Sequence, residues 1–174
     1  MVYLLDANVL MTANGTYYGI DVVPEFWDWL LDRAKAGHIK MPRETFDEIL
    51  DGSTDQEKDH LYAWVNRPDV KKALLLNEEV APILVRRVIN EGYAADLNDA
   101  ELEAIGQDPF LVAHALAAAA GRIVVTTEVS KPKKTRQNRR VPDVCHHFGV
   151  QCCDTIAMIR QLGFRTGWKP QVGP

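Results

Sequence analysis

The sequence has few cysteines and no long apolar run. Its three cysteines, Cys145, Cys152 and Cys153, cannot form an even disulfide framework, so reduced thiols are expected. The first basic residue is Arg33, which leaves the apolar opening without the positive charge of a signal peptide. No apolar run approaches the length of a membrane span. These absences predict a cytoplasmic protein without a membrane segment.

Basic charge is scarce over most of the chain and concentrated in one place. The net charge is −4, but residues 131–140 contain six basic residues and no acidic one. The rest of the chain then has fourteen basic residues against 24 acidic ones. The basic segment is either a solvated charge run or a surface that receives a phosphate backbone. Its RNA-binding candidates are Lys131, Lys133, Lys134, Arg136, Arg139 and Arg140.

Short apolar segments typical of buried strands alternate along the chain with segments whose apolar residues recur at helical spacing. This order predicts an α/β fold with a parallel sheet and more helices than strands. The predicted strands are residues 2–5, 39–41, 123–126 and 150–152. A polar loop is expected over residues 12–19. Residues 55–106 are predicted to be mostly helical, with Asn98 capping a short helix. We expect one domain over residues 1–163 and a loose tail over residues 164–174.

Four acidic residues stand at the ends of predicted elements or at the border of the core: Asp6, Glu48, Asp108 and Glu128. Two of them follow predicted strands, and the carboxyl ends of parallel strands form the edge where α/β proteins bind ligands. Like charges converge only around cations, and oxygen ligands favour Mg²⁺ or Mn²⁺ over zinc. Each acid also has an ordinary interpretation, such as an N-cap for Asp108 before Pro109.

Four motifs in this order resemble those of the PIN-domain family of metal-dependent ribonucleases. They are LLDAN (residues 4–8), PRETFDE (42–48), DPFLVAHA (108–115) and VVTTE (124–128). The resemblance covers about residues 2–162. It implies a three-layer α/β/α fold in which a short central parallel sheet has predominantly helical surroundings. The family more often has Asp where Glu128 stands. This T-x-E variant, with PDVC at 142–145, is similar to a less characterised branch close to the VapC-like toxins.

The resemblance implies an endoribonuclease that uses Mg²⁺ or Mn²⁺, acts on single-stranded or structured RNA, and leaves 5′-phosphate and 3′-hydroxyl ends. It assigns metal binding and catalysis to the four acids, with Asn8 and Thr126 as supporting groups. Asp143 is a further supporting candidate, which either caps its own helix or extends the acid cluster. The resemblance also implies a homodimer and raises the hypothesis of a toxin with a cognate antitoxin.

Some of the same residues have other interpretations. His114, on the most apolar helix, is interpreted as a packed core histidine rather than a general base. The cysteines and histidines at 145–147 and 152–153 have no common zinc-site spacing. A resemblance to phosphotransferases of the haloacid-dehalogenase type would require a second acid two residues after Asp6. Asn8 occupies that position, so this class is discounted. The remaining alternative is a catalytically silent PIN-like module that binds protein or RNA.

Overall fold

A computed structural model describes residues 1–52 and 59–169 of the protein. Four short strands in this part of the chain form one sheet, and every neighbouring pair is parallel. The strands are β1 (Val2–Leu5), β2 (Ile39–Lys40), β3 (Arg122–Val125) and β4 (Gln151–Cys153), in the spatial order β2-β1-β3-β4. The predicted α/β class is confirmed, and each predicted strand boundary lies within one residue of the observed one.

The described residues also form ten α-helices around the sheet. They are α1 (Ala7–Thr12), α2 (Pro24–Lys35), α3 (Arg43–Asp51), α4 (His60–Val65), α5 (Pro68–Leu74), α6 (Pro82–Arg87), α7 (Asp99–Ile105), α8 (Asp108–Leu116), α9 (Val141–His147) and α10 (Thr155–Gln161). The predicted helical character of residues 55–106 is confirmed from residue 60 onward, and residues 53–58 lie outside the described part. Asn98 caps α7 in a capping box with Glu101, as predicted.

The chain after β1 does not form the loop that was predicted over residues 12–19. Helix α1 ends at Thr12, and π-helical turns continue it over Ala13–Tyr17. Val9, Leu10 and Ala13 are buried in the core at helical spacing, which explains why this polar-looking stretch is helical. A similar π-helical stretch, Val88–Tyr93, continues α6.

The sheet is covered on both faces, because successive residues of β1 and β3 enter different apolar clusters. Tyr3, Leu5 and Val125 belong to one cluster, which includes the apolar residues of α2, α3 and α5. Leu4 and Val124 belong to the other, with those of α8 and α9. Side chains alternate between the two faces of a strand, so an unbroken apolar run supplies both clusters. This arrangement gives the three-layer α/β/α architecture.

The carboxyl ends of the central strands lie side by side. Leu5 pairs with Val125 in the β1–β3 register, and Val125 pairs with Cys153 in β3–β4. The backbone N–H of Asp6 donates a hydrogen bond to the carbonyl oxygen of Val125 at 2.9 Å. The backbone N–H of Thr126 donates to the carbonyl oxygen of Cys153 at 3.2 Å. The first residues beyond these strands are therefore neighbours at one edge of the sheet.

The tail predicted from residue 164 begins later than expected. Phe164 makes aromatic contacts with Tyr18, Phe26 and Trp29, and Trp168 packs against the same apolar cluster. Burial of these two rings fixes residues 164–168 on the core, which corrects the predicted boundary. Residues 170–174 lie outside the described part. Across the described residues, we find no helix with the length and apolar character that crossing a bilayer requires.

Candidate functional site

Asp6 lies directly after β1, and two polar neighbours hold its carboxylate. The residue is 5% exposed. Its Oδ2 atom accepts hydrogen bonds from Asn8 Nδ2 at 2.5 Å and from Thr126 Oγ1 at 2.7 Å. Burial raises the pKa of Asp6, and the hydrogen bond from Thr126 offsets part of this rise. The two predicted supporting residues thus lie against the first predicted ligand.

Asn8 and Thr126 also join the segments that follow β1 and β3. The Asn8 amide donates to Thr126 Oγ1 at 3.2 Å, and its oxygen accepts from the Thr127 backbone at 3.0 Å. Thr126 Oγ1 accepts in addition from the Glu128 backbone N–H at 3.1 Å. These bonds fix the start of α1 against residues 126–128. The loop that carries Glu128 is therefore placed by the same atoms that orient Asp6.

Glu48 reaches the site because α3 is attached to the end of β1. The Thr45 hydroxyl, which is buried, donates to the carbonyl oxygens of Pro42 at 3.1 Å and Leu5 at 3.4 Å. Glu48 follows Thr45 by three residues, so the two lie on the same side of the helix. Partial desolvation and then the charge of Asp6 raise the pKa of Glu48. No sequence pattern indicated this role of Thr45.

Asp108 is the first residue of α8 and does not cap it, which corrects the N-cap interpretation. Gln107 occupies the N-cap position and makes no side-chain capping bond. Burial is the largest cause that raises the pKa of Asp108 to about 8. The negative charges of Asp6, Glu128 and Glu48 add to this rise, in that order, and the positive charge of Arg140 opposes it.

Glu128 approaches the other acids, but both of its oxygens are bound by the chain itself. Arg140 Nη1 donates to Oε1 at 2.7 Å, and the backbone N–H of Val141 donates to Oε2 at 2.7 Å. Val141 is the first residue of α9, so Glu128 satisfies one of the free N–H groups of that helix. The sequence did not indicate this partnership, because Arg140 follows Glu128 by 12 residues and no periodicity relates the two positions.

Asp143 lies in the first turn of α9, where Arg140 rather than Asp143 occupies the N-cap position, and its carboxylate is bound by the start of the basic segment. Its Oδ1 atom accepts from the Ser130 hydroxyl at 2.5 Å, and its Oδ2 atom accepts from the Lys131 backbone at 2.8 Å. The carboxylate therefore holds the start of the basic segment against α9. Its role is to position that segment.

The arginines of the basic segment are engaged within the protein. Arg136 pairs with Asp96 and with Glu101, each at 2.7 Å, and Arg139 donates to the backbone carbonyls of Gly92 and Asp143. With Arg140 bound to Glu128, all three guanidinium groups have partners. The prediction that six basic side chains bind RNA therefore remains a prediction, and for the three arginines it would require a phosphate to compete with these partners. A guanidinium has five donors and satisfies nearby acceptors wherever the chain passes them.

The lysines differ from the arginines. Lys131, Lys133 and Lys134 are exposed, and their side chains make no ion pair with any residue that the structure describes. The segment starts beside the acids, because only two residues separate it from Glu128. A cleft of about 810 Å³ runs along this side of the sheet edge, lined in part by Thr126, Glu128, Arg139, Asp143 and Cys152. A second cleft of about 480 Å³, lined in part by Glu48 and Gln107, lies on the α3 side.

The donor chemistry of the site fits a hard divalent cation. Asp6, Glu48 and Asp108 offer only oxygen ligands, and all three have raised pKa values because negative charge and burial coincide there. As the side chains stand, no three Asp, Glu, His or Cys residues among those described are grouped to coordinate one ion.

The histidine and cysteine residues add no metal-ligand group to the acids among the described residues. His114 is 2% exposed, with Nε2 3.4 Å from the Glu44 carboxylate, which confirms a packed histidine. Burial lowers its pKa despite that carboxylate. Cys145 is buried, and its interaction with the Cys152 thiol, followed by burial, raises its pKa. No zinc-like group of these residues is present among those that the structure describes.

Comparison with curated proteins gives no match. Comparison with family models gives a match that spans almost the whole chain. The matched range includes the four acids, the segment after β3 and Arg140. Residues 3–166 match the family described as a domain of unknown function (DUF4411), and the chain belongs to that family.

Proposed function

We propose that this protein is a divalent-metal-dependent endoribonuclease similar to the PIN-domain enzymes. The observation that carries the proposal is the convergence of four acids from distant parts of the chain. The negative charges of Asp6, Glu128 and Glu48 all contribute to the raised pKa of Asp108. Acids that perturb one another at the ligand-binding edge of a parallel sheet are a mark of a functional site.

The ion would be Mg²⁺ or Mn²⁺, held by Asp6, Glu48 and Asp108. When bound, such an ion supplies a water of lowered pKa and compensates charge that develops on a phosphodiester. Asn8 and Thr126 keep the Asp6 carboxylate in one orientation through their hydrogen bonds to Oδ2. Thr45 keeps α3, and with it Glu48, against the end of β1.

RNA is the substrate that we propose, because the acidic site adjoins an exposed group of positive charges. Lys131, Lys133 and Lys134 are free to contact successive phosphates of a strand. The clefts lined in part by Glu128 and by Glu48 offer that strand room beside the acids. Asp143 and the loop arginines hold the lysine-bearing segment in place.

Two finer proposals come from the resemblance to PIN domains: the protein is a homodimer, and it is the toxin of a toxin–antitoxin pair. A cytoplasmic location is proposed separately, from the reduced thiols that the three cysteines predict. Light scattering of the purified protein tests the dimer, and a monomer would exclude it. Co-expression with the product of a neighbouring small gene tests the antitoxin, because a true antitoxin relieves growth arrest and co-purifies with the chain.

Cleavage of labelled single-stranded RNA in Mg²⁺ or Mn²⁺ tests the activity. We expect the wild type to cleave, and Asp6→Asn and Glu48→Gln to lose activity by about 10²-fold or more, because each removes a charged ligand. Asp28→Asn, an exposed acid on α2, is the matched control and is expected to cleave normally. Equal cleavage by wild type and Asp6→Asn would contradict the proposal.

A second candidate is a catalytically silent module that binds RNA or protein. The observation that favours it is that both oxygens of Glu128 are bound by the protein itself. Such a module would bind RNA with the same affinity with and without Mn²⁺, and Asp6→Asn would leave that affinity unchanged. The cleavage assay and a binding titration of the same two proteins separate the two functions.

A further inference from the structure

The cleft of about 810 Å³ beside Glu128 is lined by the segment after β3, by helix α9 and by the end of β4. The segment contributes Val129, Ser130 and Pro132, and the helix contributes Pro142 and His146. Asp143 joins these two parts, because its carboxylate accepts from the Ser130 hydroxyl at 2.5 Å and from the Lys131 backbone N–H at 2.8 Å. The cleft is therefore preformed, and its volume lies within the range of about 300–1,000 Å³ that is usual for small-molecule sites.

The charge of the lining favours a neutral group over a phosphate. The lining includes three carboxylates and one guanidinium, which belong to Glu128, Asp143, Asp154 and Arg139. Carboxylates repel a phosphate group, because placing like charges beside each other is costly. Apolar surface is available beside them, since Val129 is 73% exposed and also lines the cleft. The part of a nucleotide that fits this lining is its base.

His146 gives the cleft a flat side chain on which a base can stack. Among the described residues that line the cleft, it alone has an aromatic ring. It is exposed, and it lies on the same face of α9 as Pro142, four residues earlier. The neighbouring His147 does not line the cleft, and its ring packs edge-on against Phe148, with ring centroids 4.8 Å apart. Unpaired RNA bases stack on aromatic side chains, including histidine.

The cleft adjoins the exposed lysines of the basic segment. Ser130 and Pro132, which flank Lys131, both line the cleft, so the basic segment starts at its rim. Lys133 and Lys134 follow directly and are exposed as well. A strand whose phosphates contact these lysines therefore passes the cleft with its bases within reach.

We propose that the cleft is a subsite for one unpaired nucleobase of RNA, which stacks on His146 while the lysines contact the flanking phosphates. The inference rests on the RNA substrate of the proposed function and narrows it to RNA that is single-stranded beside the acids. A base that is paired and stacked in a duplex does not enter the cleft, so duplex RNA lacks this contact. His146 determines specificity and has no part in the reaction at the phosphodiester.

Binding of a labelled single-stranded RNA in the presence of a chelator tests the subsite without cleavage. We expect His146→Ala to weaken binding about tenfold, because a stack between a base and an aromatic ring is lost. His146→Tyr should keep the wild-type affinity, because it retains an aromatic face. His147→Ala removes the same ring one residue later and should match the wild type. The slope of log affinity against log salt should be equal in all four proteins, because no phosphate contact is removed.

A duplex of the same sequence completes the test. His146→Ala should leave the affinity for the duplex unchanged, because no base of the duplex occupies the cleft. An unchanged affinity of His146→Ala for the single strand, or an equal loss for both RNAs, would overturn the inference, and cleavage by the wild type would still support the nuclease. The expected binding without any cleavage in Mn²⁺ would support the subsite and overturn the nuclease. Failure of the wild type to bind either RNA would overturn both.

Discussion

The hydroxyl group of Thr126 donates a hydrogen bond of 2.7 Å to the carboxylate of Asp6, 120 positions away in the chain. The bond exists because β1 and β3 pair in parallel, with Leu5 beside Val125, so that the next residues of the two strands are neighbours. Both residues are buried, at 5% exposure for Asp6 and 1% for Thr126. The orientation of a buried carboxylate at the sheet edge thus depends on this hydroxyl together with the side-chain amide of Asn8.

Thr126→Val removes this hydroxyl while keeping the shape of the side chain. Asp6 Oδ2 loses a donor, and the Glu128 N–H loses its acceptor. We expect the free energy of unfolding to fall by about 2 kcal/mol, because buried polar groups lose their partners. Mn²⁺ affinity should fall as well, because Asp6 is no longer held in one orientation. Urea denaturation and a Mn²⁺ titration measure the two effects.

Thr127→Val is the matched control for this change. Thr127 is the next residue, and its contact with Asn8 uses the backbone N–H, which the substitution leaves in place. We expect a change in stability within about 0.5 kcal/mol and an unchanged affinity for Mn²⁺. If the two valine variants behaved alike, the bond to Asp6 would not be what orients the site.

Asp108 gives the metal-free protein a specific dependence on pH. Its pKa is about 8 in the folded protein, whereas an aspartic acid in the unfolded chain has the ordinary value of 3.8. Between these values the folded state keeps a proton that the unfolded state loses, so stability falls as pH rises through this window. Measured with a chelator, the free energy of unfolding should fall by on the order of 1 kcal/mol per pH unit between about pH 5 and about pH 8.

Asp108→Asn should flatten most of this slope and raise stability at the alkaline end. Glu103→Gln, an exposed acid on the neighbouring helix α7, is the control and should leave the slope unchanged. In the wild type at neutral pH, Mn²⁺ should release about one proton on binding, which calorimetry in buffers of different ionisation enthalpy detects. A stability that rises with pH over this range would show that Asp108 is ionised throughout.

The strands and the meeting of the acids follow from local features of the sequence. An unbroken apolar run can bury both faces of a strand, and strands of that kind pair in parallel with their ends at one edge. Asp6 directly follows such a run, and Thr126 directly follows β3. The capping box of Asn98 and Glu101 is local as well, since it involves positions three residues apart.

The partners of the long charged side chains could not be predicted in the same way. Arg136 binds Asp96 and Glu101, which precede it by 40 and 35 residues, and no periodicity relates these positions. The choice depends on where an irregular loop passes α7 in the folded protein. The partner of Glu128 could not be predicted either, because its carboxylate accepts a hydrogen bond from the first backbone N–H of α9. Charge patterns thus locate the basic residues in the sequence but do not give the partner of each side chain.

Replacing Lys131, Lys133 and Lys134 together by Gln should weaken RNA binding and its dependence on salt. The three side chains are exposed and make no ion pair with described residues. The slope of log affinity against log salt should become shallower by about 2, since each contact with a single strand contributes about 0.7. Affinity measurements at several salt concentrations give this slope, and thermal stability should not change.

Two comparisons make this prediction specific. Replacing Lys35, Lys71 and Lys72 together by Gln removes an equal charge from α2 and α5. This variant should bind RNA with the same slope of log affinity against log salt as the wild type. Arg136→Gln should instead lower the melting temperature, because it breaks the pairs that join the segment to Glu101 on α7 and to Asp96 before that helix. An RNA affinity that falls equally in both lysine variants would mean that net charge alone governs binding.

Gly92→Ala should destabilise the fold where the segment Val88–Tyr93 crosses α9. A Cβ atom at this glycine would lie 2.8 Å from Val144 Cγ1 and 3.0 Å from Phe148 Cε2, so α9 would have to shift. We expect a loss of about 1–3 kcal/mol in urea denaturation, the usual cost of overpacking a core. Gly121→Ala is the control, because its nearest neighbour is 3.7 Å away. Equal stability of the two variants would mean that α9 yields without cost, and Glu128 would then have no rigid partner.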